Sequence, residues 1–456
     1  MQERLAAALA EHKVLGGALG IMQGDEVTVY VAGTANKRAE IDVTPDTLFQ
    51  IGSITKVWTA TLVMMLVDEG VLDLDVPVVT YLPELKFADP DVTARVTLRD
   101  LLSHRSGIGG DHIIETGRGD DNLARYVESC AALGQDHELG ATMSYCNTGY
   151  SVIGRVIEVV TGKSWDAVLR QRLIEPLGLR YTNTLPEEAL LYRTAAGHIE
   201  GKVAPVWVLP RSAGPAGLIN ARAADLLAFA RLHLDEGRGP DGTQLLSVAS
   251  VKAMQVGQID VPDRYTLGDR WGLGWILFEW DGHHVYGHDG TTLGQRAYMR
   301  IAPEADLAVC LLTTGGVAGP AFKALCAEIF RDRAGITMPM LPPIPENPPA
   351  IDLSNYEGVF SRLNVALTFE QRDGRLVGYA DSSGELAVSM RAGKTEEELA
   401  ATREKERLQL TPVDESLFLA VTEEVTTPVP VVFFEFEGAK PRRVHFGARA
   451  MKREGN

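Results

Sequence analysis

The sequence predicts an α+β protein: an antiparallel sheet flanked by helices, an all-helical lobe inserted into it, and a C-terminal antiparallel β-barrel-like domain. Three observations carry this reading. β-rich apolar segments lie near both ends of the first 337 residues, while the stretch from about 53 to about 235 is mainly helical in pattern. A Pro-dense run, Met338-Pro339-Met340-Leu341-Pro342-Pro343-Ile344-Pro345-Glu346-Asn347-Pro348-Pro349, then interrupts the chain, and neither a regular helix nor a sheet accommodates it. Beyond it, residues 351–456 hold about eight short alternating segments with turn signals such as Asp373-Gly374 and Glu437-Gly438. The expected division is a catalytic-sized domain over 1–337, a linker over 338–350 and a small all-β domain over 351–456.

Taken in order, residues 2–12 suit a short helix with Leu5, Ala8 and Leu9 on one face. Two β-rich runs follow, 15–22 and 26–32, joined by Gly24-Asp25. Helices are expected near 54–69, 97–102, 122–132, 148–161, 165–173 and 222–235, separated by loops containing Gly and Pro. Strand patterns return at 273–280, 284–291, 295–302 and 307–314, and a helix near 320–333 closes the region. Residues 394–407, rich in Lys, Glu and Arg, read as an exposed helix or loop. A cleft between the helical lobe and the sheet is the natural place for a site.

Composition narrows the function. The chain has 456 residues and a net charge of −17 with acidic residues spread along it, so phosphate backbones are repelled and nucleic-acid binding is not expected. Cys130, Cys146, Cys310 and Cys326 form no C-x-x-C pair and no disulfide framework. The N-terminus enters an amphipathic pattern at once, without a basic segment and apolar core, and no run of about 18 apolar residues occurs, so a cytoplasmic protein with no membrane span is expected. The oligomeric state is not legible.

Three places carry candidate chemistry. In Gly52-Ser53-Ile54-Thr55-Lys56, Ser53 opens an apolar helical run and Lys56, three residues on, shares its face. A lysine whose pKa is depressed by desolvation and positive neighbours can deprotonate such a serine. A serine at a helix start is also an ordinary N-cap. In Tyr145-Cys146-Asn147, ahead of a helix, a phenol could act as acid or base beside the lysine and an amide could bind a carbonyl; the plainer reading is a turn Asn and a packed Tyr. In Gly287-His288-Asp289-Gly290-Thr291 a glycine lets substrate approach the backbone and a strand edge offers N–H groups to a carbonyl oxygen; the plainer reading is a hairpin at Asp289-Gly290. His283, His284 and His288 lack accompanying ligands, so no metal is expected, and no cofactor motif is present.

Together these residues resemble a known family, the class C β-lactamase, DD-peptidase and serine esterase superfamily of penicillin-recognising enzymes. Phe49-Gln50-Ile51-Gly52-Ser53-Ile54-Thr55-Lys56 resembles its first motif, Tyr145-Cys146-Asn147 its Y-x-N motif, and Gly287-His288-Asp289-Gly290 its third. Leu101-Leu102-Ser103-His104-Arg105-Ser106-Gly107 resembles a loop signature supporting the site, and Trp271-Gly272-Leu273-Gly274-Trp275 the approach to the third motif. The resemblance covers roughly residues 1–335 and implies the β-lactamase/transpeptidase-like fold.

It implies Ser53 as nucleophile, Lys56 as general base and Tyr145 as proton shuttle, with Asn147, His288, Gly290 and Thr291 contacting substrate and the N–H groups of Ser53 and Thr291 forming an oxyanion hole. Many β-lactamases carry Lys-Thr-Gly where this chain has His288-Asp289-Gly290; a mostly neutral histidine holds a substrate carboxylate less firmly. The expectation is therefore a serine hydrolase or acyltransferase acting on a small ester or amide, passing the acyl group to water or to an amine or alcohol acceptor. Alternatives are a transacylase of natural-product tailoring, a D-aminopeptidase or DD-carboxypeptidase, a weak β-lactamase, and a non-catalytic ligand sensor. The C-terminal module resembles the lipocalin-like appendages of some such enzymes.

Overall fold

Strand Gly16–Gln23 pairs with Glu26–Asn36 on one side and with Leu307–Thr314 on the other, so distant stretches of chain meet in one sheet. The computed structural model describes residues 1–383, 395, 399, 402, 404–423 and 427–455. The sheet has nine antiparallel strands in the order Ile41–Asp42, Glu26–Asn36, Gly16–Gln23, Leu307–Thr314, Gln295–Ala302, His283–Thr291, Ile276–Trp280, Arg270–Trp271 and Ile259–Asp260. Its central strands are buried on both faces. Leu19, Ile21, Val309 and Leu311 join a core with the helices Gln2–Glu11 and Ala318–Ala334, whereas Ala18, Cys310 and Leu312 face the helical lobe. This is why Leu307–Thr314 reads as an unbroken apolar run capped by two threonines.

The strand expected at 273–280 begins only at Ile276. Arg270–Trp271 and Ile276–Trp280 are separate strands, because Gly274 takes φ +89 and a Cβ there would stand 2.7 Å from the Ala60 side chain on the passing helix. The expected helix at 165–173 is α-helical only over Trp165–Leu169 and continues as a π-turn over Arg170–Ile174. Short helices at Pro90–Arg95 and Val248–Met254 were not legible; both are under eight residues, too short to show a periodic stripe.

Between Thr337 and Asp352 the chain has neither helix nor strand. A closed barrel of eight antiparallel strands follows, from Gly358–Arg362 to Arg449–Arg453, its first and last strands pairing at Phe360 and Arg453. Phe360, Phe369, Phe418 and Phe433 pack edge to face in its centre. Half of 394–407 falls outside the described residues, and Leu399, Thr402, Glu404 and Lys405 among the rest are helical. Two barrel hairpins reach the helical lobe: Leu363 N–H donates to Asp136, and Tyr145 N–H donates to the Ala448 carbonyl at 3.0 Å.

Candidate active site

Helix Thr55–Asp68 is buried from Thr55 through Leu66 because the sheet and the lobe enclose it on all sides. It begins one residue after a 3-10 turn, Gly52–Ile54, which holds Ser53. The N-cap position falls on Ile54, so Ser53 does not cap this helix. Its hydroxyl instead faces Lys56, whose Nζ stands 3.1 Å from Ser53 Oγ and 2.7 Å from the Ala216 carbonyl. Lys56 is fully enclosed. Burial pushes its pKa well below the ordinary lysine value, the Arg449 guanidinium pushes it further, and Cys146 and Asp111 act in the opposite direction. A neutral amine at that distance can take the serine proton.

The approach of strand His283–Thr291 to this turn rests on two glycines. Gly52 has φ +53, and a Cβ there would lie 2.6 Å from Thr291 N. A Cβ on Gly290 would lie 1.9 Å from the Ile51 carbonyl oxygen and 3.1 Å from Ser53 N. On the Cβ side of Gly290 the room is thus taken by the Ile51–Ser53 backbone, and the glycine lets two chains cross there. That crossing brings the Gly52–Ser53 backbone against the Gly290–Thr291 backbone. Asp289-Gly290 lies within the strand, and the turn falls later, where Thr292 N–H donates to the Gln295 carbonyl.

Tyr145 enters from the loop ahead of helix Asn147–Thr161 and is only 7% exposed. Its ring centroid is 4.9 Å from Lys56 Nζ and 4.3 Å from the His104 ring. Its hydroxyl is buried, with no hydrogen-bond partner among the described residues. Burial raises its pKa above the usual phenol value, while Ser53 and Arg449 draw it back. His104 shapes this loop: its Nδ1 accepts from Cys146 N–H at 3.0 Å and its carbonyl accepts from Ser144 N–H at 2.9 Å. Burial first, then Lys56, keeps His104 neutral.

Asn147 stands beside the site with its amide donating to Asp111 at 3.2 Å. Asp111 also accepts from Arg362 and Arg449, each at 2.7 Å. Burial alone would raise its pKa, but the two guanidiniums outweigh this and hold it at about 2. His288 is 1% exposed, and burial followed by Lys56 lowers its pKa to about 3, so it is neutral. Its Nδ1 must donate to the Asp289 carbonyl at 2.6 Å, which leaves Nε2 as a buried acceptor with no partner among the described residues. Thr291 Oγ1 accepts from Arg296.

Ser53, Lys56, Tyr145 and His288 therefore meet in one crevice, with Asn147, Gly290 and Thr291 at its edges. His283 pairs with Glu304 at 2.9 Å and His284 lies 3.8 Å from Glu279, away from it. Among the described residues no cluster of His, Cys, Asp or Glu could hold a metal ion, and no helix is long and apolar enough to cross a membrane.

The family model described as Beta-lactamase matches residues 1–327. The chain belongs to the beta-lactamase family. Penicillin-binding protein 4 of Amycolatopsis lactamdurans is 46% identical over 368 residues, covering 79% of this chain and 97% of that protein. The crystal structure of SurE with D-Leu matches with a TM-score of 0.76 and 27% identity over 99% of this chain and 98% of that one, so the likeness includes the barrel. D-amino acid amidase from Ochrobactrum anthropi SV3 matches with a TM-score of 0.58 and 26% identity over 69% of this chain and 91% of that one. The family's members are serine hydrolases, and the fold of this chain is theirs.

Sequence reasoning missed Asp111, Arg362, Arg449 and the Ala216 carbonyl. Asp111 follows Gly109-Gly110 directly, a loop signal that was available. Arg362 and Arg449 lie more than 200 residues beyond Ser53, Lys56 and Tyr145, in a module whose own pattern speaks only of a barrel.

Proposed function

We propose that this protein is an acyl-transfer enzyme working through an acyl-Ser53 intermediate. Neutral Lys56 takes the Ser53 proton as Oγ attacks an ester or amide carbonyl. The N–H groups of Ser53 and Thr291 stabilise the oxyanion. Tyr145 passes a proton to the leaving alcohol or amine, and the acyl group is released to water or to an amine or alcohol acceptor that attacks in turn. Asn147 and the His288–Thr291 edge position the substrate.

The observation that carries this reading is the 3.1 Å approach of an enclosed, carboxylate-free amine to the serine hydroxyl. The neutral His288 disfavours a dedicated β-lactamase, since it offers no charge to a substrate carboxylate. The likeness to a D-amino acid amidase favours small amides and esters of amino acids as donors. Acyl transfer to an acceptor other than water is favoured by the barrel hairpin at Ala448, which is bonded to Tyr145 and borders the crevice.

Intact-protein mass spectrometry after exposure to activated esters, amino-acid amides and β-lactams tests the intermediate. The wild-type chain should gain one acyl mass and Ser53→Ala none; equal labelling of both would remove Ser53 from the mechanism. Partitioning of one ester between hydrolysis and aminolysis then decides the acceptor.

A further inference from the structure

The third motif supplies no cation to the crevice, yet one stands against the phenol of Tyr145. Lys56 Nζ and the Arg449 guanidinium each stand 4.9 Å from the centroid of its ring. Lys56 comes from the nucleophile helix; Arg449 comes from the last strand of the C-terminal barrel, Arg449–Arg453. The barrel backbone places this arginine firmly. Ala448, just before it, accepts the Tyr145 N–H at 3.0 Å, and the N–H of Ala450, just after it, donates to Ser144 Oγ at 3.2 Å. Its guanidinium is further held by Asp111, which also holds Asn147.

We propose that Arg449 is a positioning residue of the catalytic centre, a permanent cation lent by the barrel that takes the electrostatic place left open by His288 in the third motif. The inference rests on the acyl-Ser53 reading and adds a residue to it. Lys56 must be neutral to act as base, and His288 is neutral throughout, so a charge that does not titrate is needed where negative charge develops on Tyr145 during proton transfer. A guanidinium against the ring supplies it.

The groups that face the two titrating side chains fix the direction of the effect. Around Lys56, burial acts first and Arg449 second, both favouring the free amine, against Cys146 and Asp111. Around Tyr145, burial favours the neutral phenol, Ser53 and Arg449 oppose it, and Asp111 and Asp289 support it. The rings of His104 and His288 face both without charge. Removing Arg449 therefore raises both pKa values. The acid limb of acylation, where Lys56 loses its proton, moves to higher pH, and so does the basic limb.

The test is single-turnover acylation of the full chain by an activated ester that carries no carboxylate, read across pH for wild type, Arg449→Gln, Arg449→Lys and Arg362→Gln. Arg449→Gln should acylate about tenfold more slowly at pH 7 and recover as pH rises, the size expected when one nearby charge moves a pKa by about one unit. Arg449→Lys should restore the position of the acid limb. Arg362→Gln, which removes another barrel strut to Asp111 without touching the Tyr145 ring, should leave the limb in place even if it lowers the melting temperature.

Three results would overturn the proposal: a loss in Arg449→Gln that is equal at every pH and not rescued by lysine, which is a docking defect; unshifted limbs with a loss confined to carboxylate-bearing esters, which is a substrate handle; or no change at all. Failure of the underlying reading shows separately, as acylation of wild type that Ser53→Ala does not abolish.

Discussion

Lys56 and Arg300 are two buried basic side chains treated in opposite ways. Arg300, on strand Gln295–Ala302, is 4% exposed and forms two bonds to Asp289, at 2.5 and 3.1 Å, with its guanidinium 4.4 Å from the Phe278 ring centroid. Burial works against its charge, and Asp289 outweighs burial, so it stays cationic. Among the described residues no carboxylate is bonded to Lys56, whose amine bonds to the Ser53 hydroxyl and the Ala216 carbonyl, so burial prevails. A buried cation with its own carboxylate is part of the scaffold; a buried amine denied one is available for proton transfer. Asp289 is the neighbour of His288 in the same strand, and the pleat sends one to the rear face and the other to the crevice.

This contrast can be broken from either side. The largest effect is expected from Lys56→Met, which should slow acylation of Ser53 by about 10³-fold, the contribution of a lost general base, while the melting temperature stays level or rises. A melting temperature that fell by ten degrees with acylation intact would make Lys56 a structural residue like Arg300. Arg300→Met should do the converse. It strands Asp289 and should cost about 2–3 kcal/mol in denaturant unfolding, below the figure for a fully enclosed pair because the Asp289 side chain keeps 29% exposure. Acylation by the remaining folded protein should be little changed.

A smaller effect sharpens the same point with histidine. His233, His288 and His445 are each driven by burial from the ordinary 6.5 to about 3. Between those values the unfolded chain binds more protons than the folded one. Their contribution to stability is therefore complete above about pH 6.5 and is lost progressively as pH falls toward 3. The melting temperature should drop steadily over that interval. His445 is the sharpest case, because both its ring nitrogens are buried with no partner among the described residues. His445→Leu should flatten the acid side of the melting curve by a few degrees and change little at pH 8; an unaltered slope would remove His445 from the account.

Much of this architecture was legible before any coordinates. The strands 295–302 and 307–314 have the bounds the sequence predicts: 307–314 is a nearly continuous apolar run, and 295–302 combines Tyr298, Met299 and Ile301 with polar residues between turn signals. The Pro-dense stretch announced itself, because proline excludes both regular structures. The break at Gly272–Gly274 was not legible, because it answers to Ala60 on a helix more than 200 residues earlier. Gly290 shows the same limit: a sequence reveals that a Cβ is absent but not which neighbour needs the room, here the Ile51 carbonyl.

By itself the sequence determined the alternation of elements, the barrel module, and the pairing of Ser53 with Lys56, because each depends on spacings of a few residues within one segment. Only the tertiary structure decided that Tyr145 stands against that pair, that Lys56 is denied a carboxylate, and that Arg449 from the far end of the chain looks onto the same ring. Those outcomes depend on burial and on distances between segments, and both arise only once the sheet, the lobe and the barrel have packed together.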